Sequence, residues 1–249
     1  MAVTLANFRF IPVAILLSVI VFANPAQAQE LTLTLGEDGS LATRSIQLLA
    51  LVTVISLVPA IAIMVTCFPF IVTVLAILRQ AIGLQQSPPN MLMVSLALFL
   101  TYFVMEPVFT AAWTQGLSPL MNGEMALEEA FFRTMAPLRE FMTARVDGDT
   151  LGELAALRPD LDPMVNGIDA PLSVLVPSFL LSEMEHAFQV GFLIFLPFLI
   201  IDLVVAAVLM SMGMMMVPPA IVSLPFKLAF FVVADGWALI AASLVRGYG

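Results

Sequence analysis

Charge is the scarcest commodity in this 249-residue chain: only 11% of residues are charged, against 61% hydrophobic. Soluble domains carry about 25% charged and about 45–50% apolar residues. So much apolar surface cannot be hidden in one core, and the implied solvent is a lipid bilayer. Basic residues are scarcer still, 9 against 18 acidic for a net charge of −9, which excludes nucleic-acid binding. Cys67 is the only cysteine and His186 the only histidine, so no disulfide forms within the chain and a His/Cys metal site has no ligand set. Nothing pairs a nucleophile with a base or builds a phosphate loop, so neither an enzyme nor a cofactor is expected.

Long uncharged runs fill the space that charge leaves. Phe10 to Phe22, behind Arg9 and ahead of Ala26-Gln27-Ala28, reads as the apolar core and cleavage site of a signal peptide over residues 1–28. It is shorter than the about 20 residues a spanning helix needs. A short outer segment, 29–44, follows. Residues 45–113 then form a first hydrophobic hairpin, 114–176 an acidic insert and 177–249 a second hydrophobic hairpin. Ser45 to Leu78 carries no charge and is broken only by Pro59 and Pro69, which predicts a kinked helix or one with a re-entrant end. Pro88-Pro89 closes the first hairpin and Pro218-Pro219 the second, because adjacent prolines remove backbone donors and restrict the residue before each ring. Ile221 to Val245 is the last apolar segment.

The insert, Thr114 to Ala170, holds 10 of the 18 acidic residues and 4 of the 9 basic ones. Loops retained inside are rich in Lys and Arg, so this one belongs outside. The orientation that follows is N-terminus out, Arg79 in, insert out, methionine turn in, C-terminus out. Within the insert, the spacing of Leu127, Phe131, Met135, Leu138 and Met142 predicts a helix. Asn122-Gly123 and Asp147-Gly148-Asp149 flank it as turns.

Ionisable groups inside apolar segments cost about 2.5–3.5 kcal/mol each on insertion scales, so each is a candidate for function. Glu183, Glu185, His186, Asp202, Lys227 and Asp235 qualify. Lys227 with Glu183 or Asp202 is the expected buried ion pair. Its ordinary role is to fix helix register, and a proton relay is the sharper alternative. Five of the 16 methionines, Met210, Met212, Met214, Met215 and Met216, crowd into and beside the second Pro-Pro turn. Soft, unbranched thioethers suit a surface that closes around differing shapes, such as a gasket around a pore.

Arg79 to Asn90 (RQAIGLQQSPPN) resembles the first signature of the FliP family of flagellar export-gate proteins. Leu181 to Pro219 (LSEMEHAFQVGFLIFLPFLIIDLVVAAVLMSMGMMMVPP) resembles the second, and Ser223 to Trp237 and Pro137 to Met142 fit as well. The resemblance implies an all-α membrane protein of two long kinked helical hairpins, with a small, partly helical periplasmic insert, at the bacterial inner membrane of a flagellar basal body. It implies several copies assembled with FliQ-like and FliR-like subunits into a closed-ended cone, much of it above the usual membrane plane. FlhA- and FlhB-like export proteins would adjoin it, and unfolded flagellar proteins would pass through. It also implies a methionine gasket at Met214, Met215 and Met216 and an intersubunit ion pair at Glu183 and Lys227. Phe70, Glu185 and Gln80 depart from the family pattern, Phe70 and Glu185 standing where a basic residue is usual. Two other readings are weighed: the equivalent gate of a virulence-type injectisome, and a proton-coupled secondary transporter using Asp202, Glu183 and Lys227.

Overall fold

The computed structural model describes residues 41–84, 87–159, 161, 166–214 and 216–248. The expected signal peptide (1–28) and most of the segment after it lie outside the described residues, as do Gln85, Gln86 and Met215. All the regular elements among the described residues are helical: α1 (Leu41–Met64), α2 (Phe68–Ile82), α3 (Asn90–Ala112), a π-helical turn (Trp113–Leu117), α4 (Ser118–Met121), α5 (Leu127–Arg145), α6 (Gly148–Ala156), α7 (Leu172–Ser211), α8 (Pro219–Val233) and α9 (Gly236–Arg246). The protein is an all-α membrane protein: Ser45–Met64, Asn90–Met121 and Leu172–Ser211 are each long and apolar enough to cross a bilayer.

Two compact units divide the chain, residues 1–55 and 56–249. Of the first, the described part is the opening of α1, whose side chains from Ser45 to Ile55 are exposed. The second unit holds everything that follows.

Two long apolar segments are broken, the first of them as its expected kink or re-entrant end implied. The uncharged stretch from Ser45 to Leu78 is two helices, α1 and α2, separated at Val65–Cys67. Pro69 sits in the first turn of α2, where a missing N–H costs nothing. Thr66 stitches the break: its hydroxyl donates to the Ile63 carbonyl (2.9 Å) and accepts from the Phe68 N–H (3.3 Å). The last segment bends by 61° between α8 and α9. The bend falls on Asp235, whose φ of 51° is left-handed, a region Asp tolerates better than most side chains. By contrast α7 runs unbroken for 40 residues through Pro177, Pro197 and Asp202, starting five residues ahead of Pro177. The Pro88-Pro89 turn does fall between two helices: α2 stops at Ile82, capped by the left-handed Gly83, and α3 starts at Asn90 directly after Pro89.

Helix α2 is the spine of the second unit. Ile71, Val74, Leu75 and Leu78 are fully or almost fully buried, packed with Ala97 and Met105 of α3, Ala187 and Phe198 of α7, Phe231 of α8 and Leu244 of α9. A methyl group placed on Gly191 of α7 would lie 2.4 Å from Ile77 Cδ1 and 3.1 Å from its Cγ2, so α2 and α7 approach closely there and any added side chain must push Ile77 aside. A second cluster, Met142, Leu151, Ala155, Val174, Leu175 and Phe179, seats the insert on the start of α7. Within the insert, α5 covers the predicted stretch and runs to Arg145. Asp147, expected in a turn, instead caps α6: its carboxylate accepts from the Thr150 N–H (2.9 Å) and hydroxyl (3.0 Å). These bonds hold its carboxyl below the ordinary Asp range.

Much apolar surface stays outside both clusters, including Phe99, Tyr102 and Phe103 on α3 and Phe192, Ile200 and Leu203 on α7. Only lipid or other protein suits it.

Two outcomes follow. Gly191→Val should destabilise the purified protein by about 1–3 kcal/mol through overpacking against Ile77, whereas Gly148→Ala, which meets nothing within 4 Å, should be neutral; thermal unfolding in detergent compares them. Because the folded Asp147 has the lower pKa, its stabilisation is present above the unfolded value and disappears as pH falls through the folded one. Protection of the α6 amides against hydrogen exchange should therefore fall on acidification below about pH 4, and should lose that pH dependence in Asp147→Asn.

Candidate functional site: the methionine turn and two buried charge clusters

The end of α7 is closed by backbone hydrogen bonds. Gly213, at φ 74°, lets the Gly213 N–H reach the Met210 carbonyl (3.0 Å) and the Met214 N–H reach that of Leu209 (2.9 Å). This pair of bonds is the Schellman closure of a helix end. Pro219, with φ preset for a helix, starts α8 at once. The described methionines at and beside this helix end face outward: Met210 and Met212 are each 62% exposed, Met214 40% and Met216 99%. Met215 lies outside the described residues.

Lys227, buried on α8, sits at the meeting of three helices. Its Nζ lies 2.7 Å from Asp202 Oδ2 on α7 and donates to the Ala81 carbonyl in the last turn of α2 at 3.0 Å. That carbonyl belongs to the set a helix end leaves without a partner, and a cation there complements the helix dipole. Ser223, one turn before Lys227 on α8, donates its hydroxyl to the other Asp202 oxygen at 2.6 Å. Both carboxylate oxygens and the ammonium are thus engaged.

Glu183 belongs to a separate cluster. It is 1% exposed, and its Oε1 accepts from Arg145 Nε at 3.1 Å. Its Oε2 accepts from the Tyr248 hydroxyl. Of the two partners the sequence offered for Lys227, the single chain joins it to Asp202; Glu183 is held elsewhere. Ser223 was findable from its helical spacing to Lys227. Arg145 and Tyr248, 38 and 65 residues from Glu183, leave no sequence signal. Of the other ionisable candidates, Glu185, His186 and Asp235 are exposed; Glu185 accepts from Gln189 at 3.1 Å.

Between α7, α8 and α9 lies an apolar cavity of about 590 Å³, walled by Val190, Ile194, Phe198, Phe231, Ile240 and Leu244, with Arg145, His186 and Gly247 also bordering it.

Burial separates the two members of the Lys227–Asp202 pair, the Lys side chain at 7% exposure and the Asp at 33%. Asp202→Ala strands a buried cation, a loss of about 3–5 kcal/mol for such pairs. Lys227→Met leaves a carboxylate that is less buried and that Ser223 still bonds, which should cost less, about 1–3 kcal/mol. Thermal unfolding of the two variants should rank them in that order.

Proteins called "Flagellar biosynthetic protein FliP" are similar along most of the chain. That of Caulobacter vibrioides is 51% identical over 224 residues, covering 90% of this chain and 84% of the relative. That of Rhizobium meliloti is 48% identical over 212 residues, 85% and 86% of the two chains. That of Bacillus subtilis is 46% identical over 204 residues, 82% and 92%. The FliP family model matches residues 51–244, which takes in the whole methionine turn and, except for Tyr248, both charge clusters. The chain belongs to the FliP family.

Proposed function

We propose that this protein is a core subunit of the flagellar type III protein export gate, at the bacterial inner membrane, with residues 114–176 as a periplasmic insert. Several copies assemble with FliQ-like and FliR-like subunits, beside FlhA- and FlhB-like proteins, into a channel for unfolded flagellar proteins. No catalytic step is assigned to it; residues 1–28 serve as the cleaved export signal. What carries this reading is the methionine turn: four exposed thioether side chains on a backbone closed by a Schellman pair and two prolines. Exposed methionine at such a helix end is wasted in a lone chain. It becomes a compressible seal where copies bring their turns together. The apolar faces of α3 and α7 support the same reading, since neighbouring subunits would cover them.

An ion pair between copies at Glu183 and Lys227 is part of the proposal. In the single chain each group already holds a partner, so pairing across copies would add to Arg145 and Asp202 or replace them.

Native mass spectrometry of the protein co-expressed with its FliQ- and FliR-like proteins should give one large hetero-oligomer. A stable monomer or dimer that ignores those partners would instead favour the transporter reading. Replacing Met214, Met215 and Met216 together with alanine should leave that complex intact and make the membrane leaky to ions. Unchanged conductance in the triple variant would sink the gasket.

A further inference from the structure

Glu183 is almost fully buried, and both of its donors come from distant parts of the chain. Arg145 ends α5 of the insert; Tyr248 follows α9. The two donors also hold each other. Arg145 Nη1 donates to the Gly247 carbonyl at 2.8 Å, and its guanidinium lies 4.1 Å from the centre of the Tyr248 ring. The ring is stacked on Phe141 of α5 at 6.0 Å and edge-on to Phe70 of α2 at 5.5 Å. One residue before Glu183, Ser182 Oγ accepts from the Asp147 N–H at 3.0 Å, a second tie from the insert to α7.

A buried carboxylate that loses a donor is left with a desolvated oxygen, so neither donor can leave without a penalty. Burial first, and then the charge of Glu183, push the Tyr248 hydroxyl above the ordinary tyrosine range, so it remains a proton donor at any physiological pH. The closure also makes part of the boundary of the 590 Å³ cavity, which Arg145 and Gly247 border along with Phe70 of α2 and residues of α7, α8 and α9.

We propose that Gly247–Tyr248 is a strap: by closing on Glu183 together with Arg145, it fastens the bent α8–α9 arm to the base of the acidic insert, so that the two open and move as one. The strap is independent of any gasket and of any contact between copies. Its partners are already complete within one chain, and it couples the insert to the same arm that begins at the methionine turn. Tyr248 and Arg145 act as positioning residues, through Glu183.

Hydrogen exchange on the full chain in detergent tests the coupling. Tyr248→Ala should speed exchange about tenfold or more, the loss expected for a bond to a buried charge, both in residues 236–246 and in residues 143–151 across the interface. Tyr248→Phe, which keeps the ring and removes only the hydroxyl, should speed both segments by a smaller factor, and it stands in if the alanine variant fails to accumulate. Leu239→Ala, an exposed site on α9, controls for local fraying and should leave 143–151 unchanged. Acceleration confined to 236–246 in the Tyr248 variants overturns the strap, as does no acceleration in either segment. A double variant, Arg145→Gln with Tyr248→Phe, should show less than the sum of the single effects; simple additivity would mean that the two residues hold separate things.

Discussion

A charge inside an apolar helix must find its counterpart before the helix can pack, and in this protein that constraint decides which helices meet. Lys227 cannot be buried on α8 unless Asp202 and the end of α2 are beside it. Glu183 cannot be buried on α7 unless the insert and the residues after α9 come to it. Hydrophobic burial supplies the larger free energy but is indifferent to register. The two charged clusters supply the register, since a slip of one turn along α7 would leave a carboxylate or an ammonium without a partner.

Both clusters hang on α7, and their separation along it assigns them different tasks. At Asp202 the tie is between hydrophobic helices: α2, α7 and α8 are joined at one point, so the arm after the methionine turn is pinned to the spine of the unit. Nineteen residues earlier, Glu183 joins a hydrophobic helix to the polar insert. The close approach of α2 and α7 at Gly191 and Ile77 falls between the two ties. Packing therefore holds the middle of this stretch of α7, and electrostatics holds its two ends.

The sequence was legible where a rule acts locally. Pro88-Pro89 and Pro218-Pro219 mark where α3 and α8 begin, because proline suits the start of a helix, and the stretch from Leu127 to Met142 is helical as its apolar spacing predicts, although Leu127 and Phe131 of that face are exposed. Scarce charge marked Glu183, Asp202 and Lys227 as candidates because such residues are expensive in apolar segments. Two kinds of feature escaped. The run from Ser45 to Leu78 did predict a kink or re-entrant end, but its place at Val65–Cys67, like the bend at Asp235, depends on a threonine turn and a left-handed aspartate, which apolar periodicity does not register. Partners drawn from far along the chain escaped as well. Arg145 looks like any basic residue at a helix end, and Tyr248 like a lone aromatic in a terminal turn, until the fold brings Glu183 between them.

Divergence in charge sharpens the point. The family resemblance puts a basic residue where this chain has Glu185, two positions from Glu183. Glu185 is exposed and bonded to Gln189, so it takes no share of the buried cluster, and the cation facing Glu183 is Arg145 of the insert. A carboxylate held in that way answers to the position of α5 as well as to its own helix. The acidic insert is then mechanically continuous with the hydrophobic hairpins, rather than a polar loop hung between them. Whatever leans on the insert from outside bears, through Arg145 and Tyr248, on the arm that leads back to the methionine turn.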